Sequence, residues 1–219
     1  MIISEKKPND EVMANLGSAK CVVLIGCGEC ATVCKTGGEA EIEATKAFLE
    51  ENGIKVSGAI VAGTSCNKLL AKKELKEIRS ALEEADAVLS LACGDGVQTI
   101  AGLTDLPVYP ANNTMFLGEV ERQGLFSEAC RFCGECVLAD TGAICPITKC
   151  AKSLINGPCG GAKDGNCEVN PDNPCAWILI YEKLKKLGQL DKLLELKEPK
   201  GFSKLAYPRE INLREAKDE

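Results

Sequence analysis

Eight of the chain's fourteen cysteines fall between residues 130 and 175, in a stretch rich in Gly, Pro and Asn with little hydrophobic periodicity. Residues 126–176 cannot bury enough apolar surface to order themselves, so cross-links or bound metal must supply the missing stability. The redox compartment decides between the two. The N-terminus, MIISEKKPNDEV, has no apolar segment after a basic start, so no signal peptide is expected. No run reaches the about 18 apolar residues of a membrane helix, so no membrane insertion is expected either. A cytoplasmic location follows, where thiols stay reduced. Clustered reduced cysteines are metal ligands or redox thiols more often than staples. At about 6% of the chain, cysteine is also below the density of a small disulfide scaffold.

The sequence contains no histidine. That excludes a Ser-His-Asp triad, a Cys-His dyad and any His-containing zinc or haem site within these residues. A net charge of −6, from 26 Lys+Arg against 32 Asp+Glu, argues against nucleic acid as a partner.

Before the cysteine-rich stretch the pattern is that of an α/β domain. Residues 1–20 read as a polar lead-in with a short helix over Asp10 to Leu16. Val22–Ile25 and Val56–Val61 are apolar, β-branched runs that predict strands, and Ala87–Leu91 a third. Glu39–Glu51 predicts a helix stopped by Asn52-Gly53. Lys68–Glu84 predicts another, with Leu75, Ile78 and Leu82 on one face. Pro107–Tyr109 fits a short edge strand. Strands alternating with helices imply a small parallel sheet of flavodoxin- or Rossmann-like type. After it, Trp177 to Leu187 predicts a helix ended by Gly188, with Trp177, Tyr181 and Leu184 on its core face, and a second short helix over 189–196. The expected organisation is lead-in 1–20, α/β domain 21–125, cysteine-rich module 126–176, and C-terminal helix and tail 177–219.

The segment VVLIGCGECATVCKTGG places Cys27, Cys30 and Cys34 just after the first strand, with spacing C-x2-C-x3-C. The second and third strands run into Cys66 and Cys93, so five thiols meet at the carboxyl edge where open α/β sheets bind ligands. With a strand order of 2-1-3, Cys66 or Cys93 could complete a four-thiolate site. Cys34 is expected near a helix start, where free N–H groups favour thiolate, and Gly26, Gly28, Gly94 and Gly96 let amides approach sulfur. Cys21, at the other end of its strand, reads as a buried thiol. Two other readings compete. Gly26 to Ala31 matches G-x-G-x-x-A after a strand, but the second strand ends in Thr64-Ser65-Cys66 without the ribose-binding acid. Cys27 and Cys30 alone would make a C-x-x-C redox couple, which leaves the other three thiols unexplained.

In the second constellation, Cys130, Cys133 and Cys136 are spaced C-x2-C-x2-C, the opening of a bacterial ferredoxin run. Cys145-Pro146 supplies the closing Cys-Pro, with eight residues between rather than three. Cys150, Cys159, Cys167 and Cys175 follow. Eight thiols make two four-ligand sites, with the membership of each open. The tight spacing suits an iron–sulfur cubane, and structural zinc is the alternative for the later four.

At these residues the sequence resembles a known family. The segments GAICPITKC, NGPCGG, CEV and PCAWILIYEKL resemble the methylenetetrahydrofolate reductase C-terminal cysteine-rich domain. With GCGECATVCKTGGE and SLACGDGVQT, nearly the whole chain resembles the small iron–sulfur (MetV-type) subunit of acetogen reductases. The resemblance implies two or three [4Fe-4S] sites. Cys27, Cys30 and Cys34 with Cys66 or Cys93 would hold one, and the eight cysteines from Cys130 to Cys175 the rest. It implies a catalytic partner subunit carrying FMN, a further electron-donor module, and a place in one-carbon metabolism on the reductive acetyl-CoA (Wood-Ljungdahl) pathway. The chain would relay electrons rather than catalyse alone. Two other classes compete: a zinc-stabilised adaptor without a redox role, and an autonomous cluster enzyme. Radical-SAM chemistry would need C-x3-C-x2-C on a larger barrel. Met115-Phe116-Leu117 and the tail residues Phe202, Leu205, Tyr207, Ile211 and Leu213 are the expected docking surface.

Overall fold

A computed structural model of the chain describes residues 1–205 and 207–213. It divides into two compact units, residues 1–127 and 128–219. The first contains β1 (Ile2–Lys6), α1 (Asn9–Leu16), β2 (Cys21–Cys27), α2 (Cys30–Val33), α3 (Glu39–Glu51), β3 (Lys55–Ala62), α4 (Lys68–Glu77) and α5 (Arg79–Glu84). β4 (Ala87–Ser90), α6 (Gly94–Ala101), β5 (Val108–Pro110), β6 (Asn112–Arg122) and β7 (Leu125–Cys130) follow.

Four strands form a parallel sheet in the order β3-β2-β4-β5. β2 and β4 are central and, apart from Cys21 at the edge, buried throughout because both of their faces are covered. The strand's two-residue period sorts them. Val22, Leu24 and Leu89 join Val12 and Leu16 of α1 and Ile42 and Leu49 of α3. Val23, Ile25 and Val88 join Leu75 of α4 and Ile100 of α6 on the opposite face. The order considered as one case, the second strand beside the first and the first beside the third, is the one observed, and the predicted α3 ends where expected. Gly53 takes φ 79° just after it, and Asn52 Nδ2 donates to Phe48 O at 2.7 Å.

The structure differs from the sequence reading in several places. The lead-in opens with β1, which pairs antiparallel with β6, and the sheet continues to β7 in the order β1-β6-β7. Met115-Phe116-Leu117 therefore lies within a paired strand. Ile3 opposes Phe116 and Ile2 opposes Leu117, and Met115 is exposed. The helix expected over Lys68–Glu84 breaks at Ile78 (φ −108°, ψ 21°). The break sets α5 against β3, where a Cβ on Gly58 would stand 2.5 Å from Ala81 Cβ. Finally, α6 occupies the glycine-rich segment after Cys93 that carried no helix signal.

In the second unit regular structure is sparse. α7 (Pro146–Lys149), α8 (Ala176–Leu187) and 3-10 turns at Leu190–Leu194 and Phe202–Leu205 are joined by irregular chain. Its core is small: Trp177, Ile180 and Leu184 packed with Ile144, Cys150, Cys175 and Leu190. Tyr181, expected in that core, is exposed, and Ile180 takes the place. Spacings of three and four residues from Trp177 through Ile180 to Leu184 make the tighter stripe. Gly188 ends α8 at φ 67° in the left-handed region. The short helix expected over 189–196 is the 3-10 turn. In the tail Tyr207, Ile211 and Leu213 are exposed, while the Phe202 side chain, Ala206 and residues 214–219 lie outside the described residues. Among the described residues no helix is long and apolar enough to cross a membrane.

Candidate metal centres

All fourteen cysteines are free thiols. In the first unit, β2 delivers Cys27 to the carboxyl edge of the parallel sheet, Cys66 follows β3, and Cys93 caps the start of α6. The loops are pinned by backbone contacts. Cys27 N–H donates to Gly37 O at 2.9 Å and Gly28 N–H to Ala62 O at 2.7 Å. The buried Ser65 hydroxyl donates to Gly26 O at 3.1 Å. No side chain would fit at Gly26 or Gly37. A Cβ at Gly26 would strike Gly37 O, and one at Gly37 would strike Leu91 O.

Cys27 is buried beside Ala31 and Ala92. Cys66 is exposed, yet desolvation of its sulfur, with negative charge from Asp95, Cys93 and Cys27, pushes its thiol up. Cys93 and Cys27 both lie near enough to Cys66 to contribute to that shift. Cys30 starts α2, and Cys34 lies at its end rather than at a helix start. The Cys34 thiol donates to Ile2 O of β1 at 3.7 Å. Cys21 is half-buried rather than buried, opposite Lys55. Asn112 of β6, itself buried, donates through Nδ2 to Thr36 O at 3.2 Å and Ala92 O at 3.4 Å. It thereby ties the loop after Cys34 to the loop before Cys93.

In the second unit Cys150, Cys159, Cys167 and Cys175 line one small, partly open cavity of about 20 Å³ together with Pro158, Glu168 and Trp177. Short backbone contacts set them there. Cys167 N–H donates to Asn173 O at 2.9 Å, Cys175 N–H to Gly165 O at 2.8 Å, and Cys150 N–H to Pro146 O at 3.1 Å. Cys159 Sγ donates to Glu168 Oε1 at 3.4 Å and accepts from Gly161 N–H at 3.5 Å. Lys152 pairs with the same Glu168 and holds its carboxyl below the usual range. Backbone N–H groups of Asn170, then Val169, hold the Cys167 thiol below its ordinary value.

Cys130 ends β7, and Cys133 and Cys136 lie on the loop that leaves it. Phe132 N–H donates to Cys130 Sγ at 3.4 Å. Lys200 Nζ donates to Cys133 Sγ at 3.0 Å, and this ammonium, followed by the Glu135 backbone, holds the Cys133 thiol low. Cys145 and Cys150 flank the single turn of α7. Beside the thiol cavity, and sharing Pro158 and Trp177 with it, is a mainly apolar groove of about 460 Å³ lined also by Tyr181, Leu193, Leu194 and Leu196.

Among the described residues no group of three or more His, Cys, Asp or Glu side chains is arranged to hold a metal ion. The chemistry of the donor set nevertheless fits one. Four soft sulfur donors share one cavity wall, and backbone N–H groups stabilise thiolate there.

Residues 109–203 match the family model described as methylene-tetrahydrofolate reductase C terminal. The matched stretch contains all eight cysteines of the second constellation and relates this part of the chain to methylenetetrahydrofolate reductases. No curated protein and no solved structure matches the chain. The reductase relation rests on residues 109–203, which include β6 of the first unit and most of the second, and the sheet-edge thiols lie outside them. Sequence reasoning missed Lys200, which no spacing signal connects to Cys133.

Proposed function

We propose that this chain is the iron–sulfur electron-transfer subunit of a methylenetetrahydrofolate reductase complex, serving the flavin of a catalytic partner in one-carbon metabolism. The observation that carries the reading is that all eight cysteines from Cys130 to Cys175, four of them around one cavity, fall inside the stretch that matches the reductase family. Cys130, Cys133, Cys136 and Cys145 form the second four-thiol set. Cys27, Cys30 and Cys34 with Cys66 or Cys93 form a third at the sheet edge. Bound [4Fe-4S] clusters would supply one-electron carriage. The chain's own residues hold the sulfurs, donate N–H groups to them, as at Cys130, Cys159 and Cys167, and exclude water on the Trp177 side. The apolar groove sharing Pro158 and Trp177 is where a partner would approach that cavity.

A second reading applies to one site. A cavity of about 20 Å³ has the size of a single ion, which favours zinc at Cys150, Cys159, Cys167 and Cys175, with a structural role there.

Anaerobic preparation with iron and zinc analysis and a visible spectrum tests both. The expected protein is brown, and Cys30→Ser loses one cluster's iron while keeping the C-terminal sites filled. If Cys159→Ser releases zinc and leaves iron unchanged, the later four hold zinc. A pale, iron-free protein removes the electron-transfer reading. Reductase assays with and without a flavoprotein partner then test for catalysis by this chain alone.

A further inference from the structure

The tail lies across the C-x2-C-x2-C loop. Lys200 Nζ donates to Cys133 Sγ at 3.0 Å and also to Glu135 O. Nine residues on, Arg209 Nη1 donates to Phe132 O at 3.0 Å and to Lys204 O at 2.9 Å. Between these anchors the tail passes so close that a Cβ at Gly134 would stand 3.0 Å from Lys204 Cβ. The tail therefore grips the loop at Phe132, Cys133 and Glu135, and it delivers one positive charge to one sulfur.

We propose that Lys200 is a positioning residue that sets the reduction potential of the centre to which Cys133 contributes. The inference rests on the electron-transfer reading and adds to it a residue from outside the cysteine motif. The physical reason is electrostatic. When a one-electron donor reduces a thiolate-bound centre, the centre gains one negative charge. An ammonium in contact with a ligand sulfur stabilises that added charge more than it stabilises the oxidised form. Lys200 therefore raises the potential of this centre above that of an otherwise equal one without a cation. At Cys159 the Lys152 ammonium, paired mainly with Glu168, also reaches the sulfur, whereas the N–H donors at Cys130 and Cys167 come from neutral backbone.

The test is an anaerobic potentiometric titration of the full chain, with dithionite as the electron source and redox mediators, read by EPR. In Lys200→Gln one couple should move to lower potential by about tenfold in its reduction equilibrium, which for one electron is 59 mV. The remaining couples should stay in place, iron content should be unchanged, and Lys200→Arg should restore the wild-type value. Wild-type potentials for every couple in Lys200→Gln, with iron retained, overturn the proposal. Loss of iron in Lys200→Gln overturns it too, since Lys200 would then hold the site together rather than set its potential. An iron-free wild-type chain would instead remove the electron-transfer reading beneath it.

Discussion

The two units place their cysteines by opposite means. In the first, a sheet with both faces covered fixes the strand ends, and Cys27, Cys66 and Cys93 are carried to the edge by a fold that stands on Leu24, Ile25, Val88 and Leu89. In the second, three core side chains of α8 serve a coil-rich unit, and non-glycine residues such as Phe132, Ala143, Ser153 and Asp164 adopt positive φ. Left-handed backbone of this kind persists only where the surroundings over-determine it. The first unit's fold positions its thiols, and on the proposed reading the second depends on what its thiols bind.

The sharpest way to break this contrast is to strip metal from the protein. The protein's only tryptophan, Trp177, sits in the small core of the second unit. Chelation under reducing conditions should shift its emission to the red as that unit loosens, while far-UV circular dichroism keeps the helix and strand signal of the first unit. A matching collapse of both signals would erase the distinction. Next in size, Leu89→Ala opens a cavity in the central strand of the first unit and should cost about 2–5 kcal/mol, equally with and without chelator. Dependence of that loss on metal, measured by denaturant unfolding followed by circular dichroism, would show that the units share their stability. Smallest is Asn67→Ala. The Asn67 Oδ1 cap accepts from Leu69 N–H at 3.2 Å and Leu70 N–H at 3.3 Å, and its loss should cost about 1 kcal/mol. Hydrogen exchange should register it in α4 and leave the second unit's amides unchanged.

What could be read from the residues follows the same division. α3 is legible because an acidic first turn and an Asn-Gly stop bracket it, and the sheet order because alternating strands and helices admit few topologies. β1 escaped because its partner on β6 is more than a hundred residues away and only Ile2 and Ile3 mark it as apolar. α6 escaped because Gly94 and Gly96 look like loop. In the structure Gly96 is small for packing, since a Cβ there would lie 3.0 Å from Ser65 Cβ. At the candidate centres, spacing separated sheet-edge cysteines from the C-terminal eight. It offered Cys150, Cys159, Cys167 and Cys175 only as an alternative zinc set, because the cavity they line is made by turns such as the Cys175 N–H bond to Gly165 O.

The Asn112 carboxamide has a mechanical consequence. One NH₂ group serves two carbonyls, so the segments bearing Cys34 and Cys93 share one pin besides their separate anchors. A displacement that carries one segment outward drags on the other or breaks the pin. Changes at these sulfurs are thus geared together by a strand that contributes no sulfur of its own.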